Sequence, residues 1–141
     1  MHVYQRNYKK ITTIFDLEKV KESEYLKYTS QGYKDLYIEF SKGPPSSNYG
    51  VLLAHYHDFS GDLIPDPGFE IEIDEELETA EAFTYQDLCA HIRIYNFMRT
   101  MDNDEIREWR SSLNSFFESW LDKLLQGDFK LALQKKWSEE N

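Results

Sequence analysis

The chain has 141 residues, 16% of them aromatic, and a formal net charge of −10, which is length enough for one domain to bury a core without disulfide or metal staples. The imbalance has a single source: residues 43–92 carry 11 Asp or Glu and no Lys or Arg, while the other 91 residues hold 16 basic and 15 acidic side chains. A surface of that kind repels nucleic acid and anionic membranes and attracts basic protein surfaces, so neither direct nucleic-acid binding nor membrane association is expected.

At the amino end, MHVYQRNYKK is charged and lacks the apolar stretch and small-residue cleavage site of an export signal. No later apolar run approaches the ~18–20 residues that a spanning helix needs. The first element expected is a helix over Asp16 to Thr29, DLEKVKESEYLKYT. Asp16 caps it, Leu17, Val20, Glu24 and Tyr28 fall on one side, and Gly32 stands past its end. DLYIEF, residues 35–40, alternates Leu36, Ile38 and Phe40 against Asp35, Tyr37 and Glu39, the period of a half-buried strand. GPPSSN, residues 43–48, breaks that ladder as a loop.

Strands are then expected over Tyr49 to Asp58, over FEIEID at 69–74, and over Ala80 to Gln86. Cys89 has no catalytic motif around it and reads as a small core residue; alone, it cannot form an internal disulfide, which fits a reducing cytoplasm. Residues 88–98 fit either period. A long helix is expected from about Asn103 to Gln126, capped by Asp102 or Asp104. Ile106, Trp109, Leu113, Phe116, Phe117, Trp120, Leu121, Leu124 and Leu125 make one broad apolar face. Gly127 suits a left-handed residue past its end, and FKLALQKKWS, 129–138, suits a short basic helix. The predicted fold is α+β: an antiparallel meander of about four strands flanked by an N-terminal helix and a long C-terminal helix. It forms a single domain over 1–141, with a core at 16–127 and a C-terminal extension at 128–141.

HYHDFSGDLIPDPGFEIEIDEE, residues 55–76, concentrates the chemistry. His55 and His57, two apart on a strand, face the same way, a spacing that metal sites use, and Asp62 and Asp66 would supply oxygens for a metal-dependent hydrolase. The competing reading is local: no third nitrogen or sulfur ligand lies near in sequence, and GDLIPDPG has the aspartates, prolines and glycines of a turn. No catalytic residue and no cofactor is therefore expected. In FEIEIDEE, Phe69, Ile71 and Ile73 face inward, which sets Glu70, Glu72 and Asp74 in an outward row about 6.8 Å apart. Glu75, Glu76, Glu78 and Glu81 extend it. Such a row is either an ordinary solvated face or a phosphate-like track; DNA carries a charge every ~1.7 Å, so the strand row alone is about four times too sparse to imitate it. Lys9, Lys10, Lys130, Lys135 and Lys136 would offset the acidic segment in a homodimer.

The order HYHDFSGDLIPDPGFEIEID, AEAFTYQDL, LNSFFESWLDKLLQGDF resembles a family of small uncharacterised bacterial proteins carried by plasmids, integrative conjugative elements and phage. Over about residues 49–129 it matches at His55, Tyr56, Gly61, Asp62, Leu63, Asp66, Pro67, Tyr85, Gln86, Asn114, Trp120, Leu121 and Gly127. Ser60 stands where that pattern has Asn, and His57 lies outside it. The resemblance implies a neighbourhood of mobile-element accessory genes, where inhibitors of restriction and CRISPR nucleases are common. The leading expectation is a cytoplasmic, non-enzymatic protein that inhibits a host defence nuclease, a basic nucleic-acid-binding protein, through Glu70, Glu72, Asp74, Glu75, Glu76, Glu78 and Glu81. The alternatives are the metal-dependent hydrolase on His55, His57, Asp62 and Asp66, or a structural assembly subunit.

Overall fold

Side chains that alternate apolar and polar sort themselves across a sheet, and this chain alternates for most of its length. The computed structural model describes residues 1–41, 48–89, 91–93 and 102–137. In chain order these form α1 (Val3–Ile14), α2 (Leu17–Lys21), β1 (Ser23–Thr29), β2 (Leu36–Ser41), β3 (Tyr49–Phe59), β4 (Asp62–Asp74), β5 (Thr79–Gln86), β6 (His91–Arg93), α3 (Asn103–Leu125) and β7 (Lys130–Lys136). The strands lie in the order β6-β5-β4-β3-β2-β1-β7, each pair antiparallel. The first six thus form a meander, and the chain returns through α3 to lay β7 beside β1. The α+β class with a helix near each end is as predicted. The sheet is larger: six strands of six residues or more and a three-residue seventh, where about four were expected.

One hydrophobic cluster joins the helices to one face of the sheet. Leu26, Ile38, Leu53, Phe69 and Ile71 from the strands meet Ile11 of α1 and Phe117 and Leu121 of α3, all fully buried. Each such side chain contributes about 1.5–3 kcal/mol of transfer free energy. Ile11 brings α1 into the core, and Leu131 of β7 packs against it from the other end, so the sheet and core extend on both sides of residues 16–127.

Several sequence expectations are corrected. Residues 16–29 are not one helix. Asp16 caps as predicted, accepting from the backbone N–H of Glu18 (3.1 Å) and Lys19 (3.3 Å), but α2 stops after five residues. The Ser23 hydroxyl donates to the Lys19 carbonyl (2.6 Å), and from there Leu26 and Tyr28 alternate inward with Tyr25 and Lys27 outward. A continued helix would have put Glu24 on its apolar side, whereas β1 gains hydrogen-bonded partners along both edges, β2 and β7. Residues 130–136 are strand, for the same reason: β1 offers them a ladder.

GDLIPDPG is not a broad turn. The reversal is confined to Ser60 (φ 54°) and Gly61 (φ 91°), the two left-handed residues of a tight hairpin, with the Asp58 carboxylate accepting from Gly61 N–H (2.9 Å). The strand resumes at Asp62, and Pro65 to Pro67 form a bulge: Tyr56 pairs with Pro65 and Ala54 with Gly68. A bulge is where a strand tolerates proline, since a ladder N–H is not needed there. Beyond α3, the left-handed residue is Asp128 (φ 49°) rather than Gly127. Gly127 is small for another reason: a Cβ there would sit 2.7 Å from the Phe129 ring and 3.2 Å from the Tyr33 ring.

The long helix is as predicted, with Asp102 accepting from Glu105 N–H (2.8 Å), but its buried stripe is narrower. Leu113, Asn114, Phe117, Leu121 and Leu124 are buried, while Trp109, Phe116 and Leu125 are 41%, 49% and 38% exposed. Cys89 is exposed, not a core residue. No element was expected before Asp16; α1 is there, its Tyr4, Asn7, Ile11 and Ile14 stepping by three and four toward the interior, with His2 and Gln5 forming its capping box. Of the segment that fitted either period, His91–Arg93 is strand, and residues 90 and 94–98 lie outside the described residues, as does most of the 43–48 loop. No helix among the described residues is long and apolar enough to cross a membrane.

Candidate functional site

The face of the sheet turned away from the helices is built by the odd member of each alternation. Strand register lines up Glu70, Leu52, Glu39, Tyr25 and Lys135 from β4 to β7, and beside them Gly68, Ala54, Tyr37, Lys27 and Leu133. The face therefore grades from Glu70 on β4, through Tyr56, Tyr37 and Tyr25 on β3, β2 and β1, to Lys135 on β7.

In its middle lies a cleft of about 850 Å³ lined by Tyr25, Tyr33, Lys34, Asp35, Tyr37, Glu39, Tyr56, His57, Asp58 and Leu63. None of these belongs to a helix. The floor is a contiguous tyrosine strip, with Tyr25 and Tyr37 rings 6.0 Å apart and Tyr37 and Tyr56 rings 5.4 Å apart and nearly perpendicular. One side is the β1–β2 turn, where Gly32 takes φ 85°. The other is the projecting tip of the β3–β4 hairpin, whose Phe59 and Leu63 are 60% and 67% exposed. The Tyr56 hydroxyl donates to the Glu39 carboxylate. Burial, and then that carboxylate, push the Tyr56 phenol well above its ordinary value, so it stays a neutral donor that fixes Glu39 among the rings. Lys27 reaches Asp35 at 3.4 Å.

The predicted acidic residues separate into two groups. Glu70, Glu72 and Asp74 stand on the outer face at half-buried positions, alternating with buried Phe69, Ile71 and Ile73 as expected. Glu72 accepts from the Asn48 amide (2.7 Å), and Asp74 accepts from Leu77 N–H (3.0 Å), closing the β4–β5 turn. Glu76 and Glu78 are exposed in that turn. Glu75 and Glu81 do not extend the row freely. Glu75 pairs with Lys21 of α2 (2.6 Å) and accepts from Tyr49 (3.0 Å), and Glu81, although opposite Glu72 in register, takes both arms of Arg110 on α3 at 2.7 Å. A paired carboxylate offers less field to a partner, so the outward row is the strand's three.

The histidine and aspartate candidates are spread apart. His55 is buried, its Nδ1 2.9 Å from the Asp35 carbonyl oxygen and its ring edge-on to Trp120; burial pushes its pKa below the ordinary histidine value. His57 lines the cleft. Asp62 is exposed at the hairpin tip and Asp66 sits in the bulge. Among the described residues, no three His, Cys, Asp or Glu side chains are grouped to hold a metal ion. Of the lysines proposed for a homodimer, Lys10 is engaged by Glu118 (2.8 Å) and Asp122 (2.7 Å), and Lys130 by Asp128 (3.2 Å).

The tyrosine cleft was not foreseen, although Tyr37 already stood on the polar side of DLYIEF. An outward aromatic in an alternating strand is the signal; Tyr25 was hidden because its segment reads as helix. A family model described as a domain of unknown function (DUF6908) matches residues 6–130. No curated protein and no solved structure matches the chain.

Proposed function

The chain belongs to the DUF6908 family, so its role has to be drawn from its own surface, and we propose that it is a non-enzymatic binding protein that presents its helix-free sheet face to a basic protein. The observation that carries this is the union, on one face that no described helix covers, of a carboxylate row (Glu70, Glu72, Asp74) with a tyrosine-floored cleft holding Glu39. Carboxylates attract and orient a basic partner over distance, and tyrosines supply the apolar anchors that hold it. The partner is a nuclease of host defence, acting on restriction or CRISPR targets, whose Lys and Arg are otherwise reserved for nucleic acid. Binding takes place in the cytoplasm and excludes DNA by competition. The mobile-element setting implied by the sequence resemblance supports that choice of partner.

The test adds the purified protein to cleavage reactions of representative restriction and CRISPR nucleases. Inhibition is expected, relieved by excess DNA and by salt, because it rests on exposed charge. The Glu70→Gln, Glu72→Gln, Asp74→Asn triple variant should inhibit at least tenfold less well. Inhibition that neither salt nor the triple variant weakens, or no inhibition of any of them, would refute it.

A further inference from the structure

We propose that the tyrosine cleft is a binding site for an arginine side chain of the partner, a proposal that rests on reading this face as protein-binding. Three carboxylates line it, Asp35, Glu39 and Asp58, against one lysine, Lys34, with His57 at the side. Asp35 is partly neutralised by Lys27, and Asp58 is committed to the hairpin turn through Gly61 N–H. Glu39 is different. It stands opposite Tyr25 in register, two residues along β2 from Tyr37, and holds the Tyr56 hydroxyl, so three aromatic rings surround one carboxylate. Among the described residues the one hydrogen bond to its carboxylate comes from that hydroxyl, which leaves an oxygen to accept from a ligand.

That environment selects a flat cation. The negative faces of tyrosine rings attract positive charge, more strongly when it is partly desolvated. The neighbouring rings touch in tilted and T-shaped contacts, so there is no slot between parallel rings; a ligand has to lie on an exposed ring face and reach Glu39 sideways. Guanidinium does this, since it stacks with its plane while donating from its edge. Ammonium, a compact and strongly hydrated charge, gives up more water for the same contact. An anionic ligand would meet the carboxylate majority. The cleft volume of about 850 Å³ also exceeds one side chain, so the arginine enters as part of a peptide segment running between the β1–β2 turn and the β3–β4 hairpin tip.

The experiment titrates 15N-labelled protein with the blocked peptide Gly-Arg-Gly and with its lysine and citrulline counterparts, following amide shifts. The arginine peptide should move Tyr25, Tyr37, Glu39 and Tyr56 resonances and bind at least fivefold more tightly than citrulline, its uncharged isostere, with lysine between them. Glu39→Gln keeps an acceptor for the Tyr56 hydroxyl, and so the fold, yet should erase the preference for arginine over citrulline. Equal binding of arginine and citrulline, shifts outside the cleft, or an unaffected Glu39→Gln protein would overturn the proposal even if a nuclease were inhibited. Cleft binding without inhibition of any nuclease would leave this site standing and remove the defence role.

Discussion

Replacing Asn114 with Leu tests how α3 is fixed to the sheet. Asn114 is fully buried, and its side chain does the work of a missing strand. Its Oδ1 accepts from Ala82 N–H (2.7 Å), and its amide donates to the Ala82 carbonyl (3.0 Å) and to the Arg110 carbonyl (2.8 Å). Among the described residues β5 is paired with β6 on that edge only from Thr84 to Gln86, and it is Asn114 that satisfies Ala82 there. Leucine matches the volume but leaves a buried N–H and a buried C=O of Ala82 without partners, at about 1–3 kcal/mol each. The apolar side chain returns about 1.5–3 kcal/mol by its own burial. Taking the middle of each range, the net loss is about 2 kcal/mol, a large part of the 5–15 kcal/mol typical of a domain, or roughly 7 °C in Tm for a chain of this size. Urea unfolding followed by tryptophan fluorescence should show the midpoint falling by about 1–2 M at an unchanged slope. A stability equal to or above that of wild type would refute the reasoning, since the two orphaned buried groups would then cost no more than the leucine returns.

Glu118 joins α3 to α1, accepting from Arg6 (2.8 and 3.0 Å) and Lys10 (2.8 Å), and these bonds hold its pKa at about 2 against an ordinary 4.5. A depressed carboxylate adds stability above its unfolded pKa and loses it as pH falls through the folded one, here between 4.5 and about 2. The full shift corresponds to about 3 kcal/mol, but Arg6 is 43% exposed, and solvent screening brings the expectation to about 1–2 kcal/mol. Glu118→Gln should lose that much at pH 7 and match wild type near pH 2, as read by denaturation across pH. His55 should titrate below 6.5 by ring NMR: its neutral form is favoured by burial, so its contribution is complete above 6.5 and declines as pH falls toward the lower folded value. Gly68→Ala should cost about 1–3 kcal/mol, because the new Cβ would lie 2.6 Å from Pro65 Cβ in the bulge; a melting temperature equal to wild type would count against that packing.

The sequence by itself determined what depends on neighbours along the chain. Alternation placed β2, most of β3, the FEIEID half of β4 and nearly all of β5, three- and four-residue steps placed α3, and the capping chemistry of Asp16 and Asp102 was legible because each cap closes within three residues. The outward setting of Glu70, Glu72 and Asp74 followed from the same period. The tertiary structure decided what depends on partners far away. Ser23–Thr29 and Lys130–Lys136 became strands because each supplies the other's ladder across the fold, a term that local propensity does not contain. Glu75 and Glu81 were drawn off the anionic row by Lys21, 54 residues away, and Arg110, 29 residues away. The cleft arose in the same way: Tyr25, Tyr37 and Tyr56 belong to three strands, and only register brings their rings around Glu39, since a one-residue slip would send each of them to the opposite face.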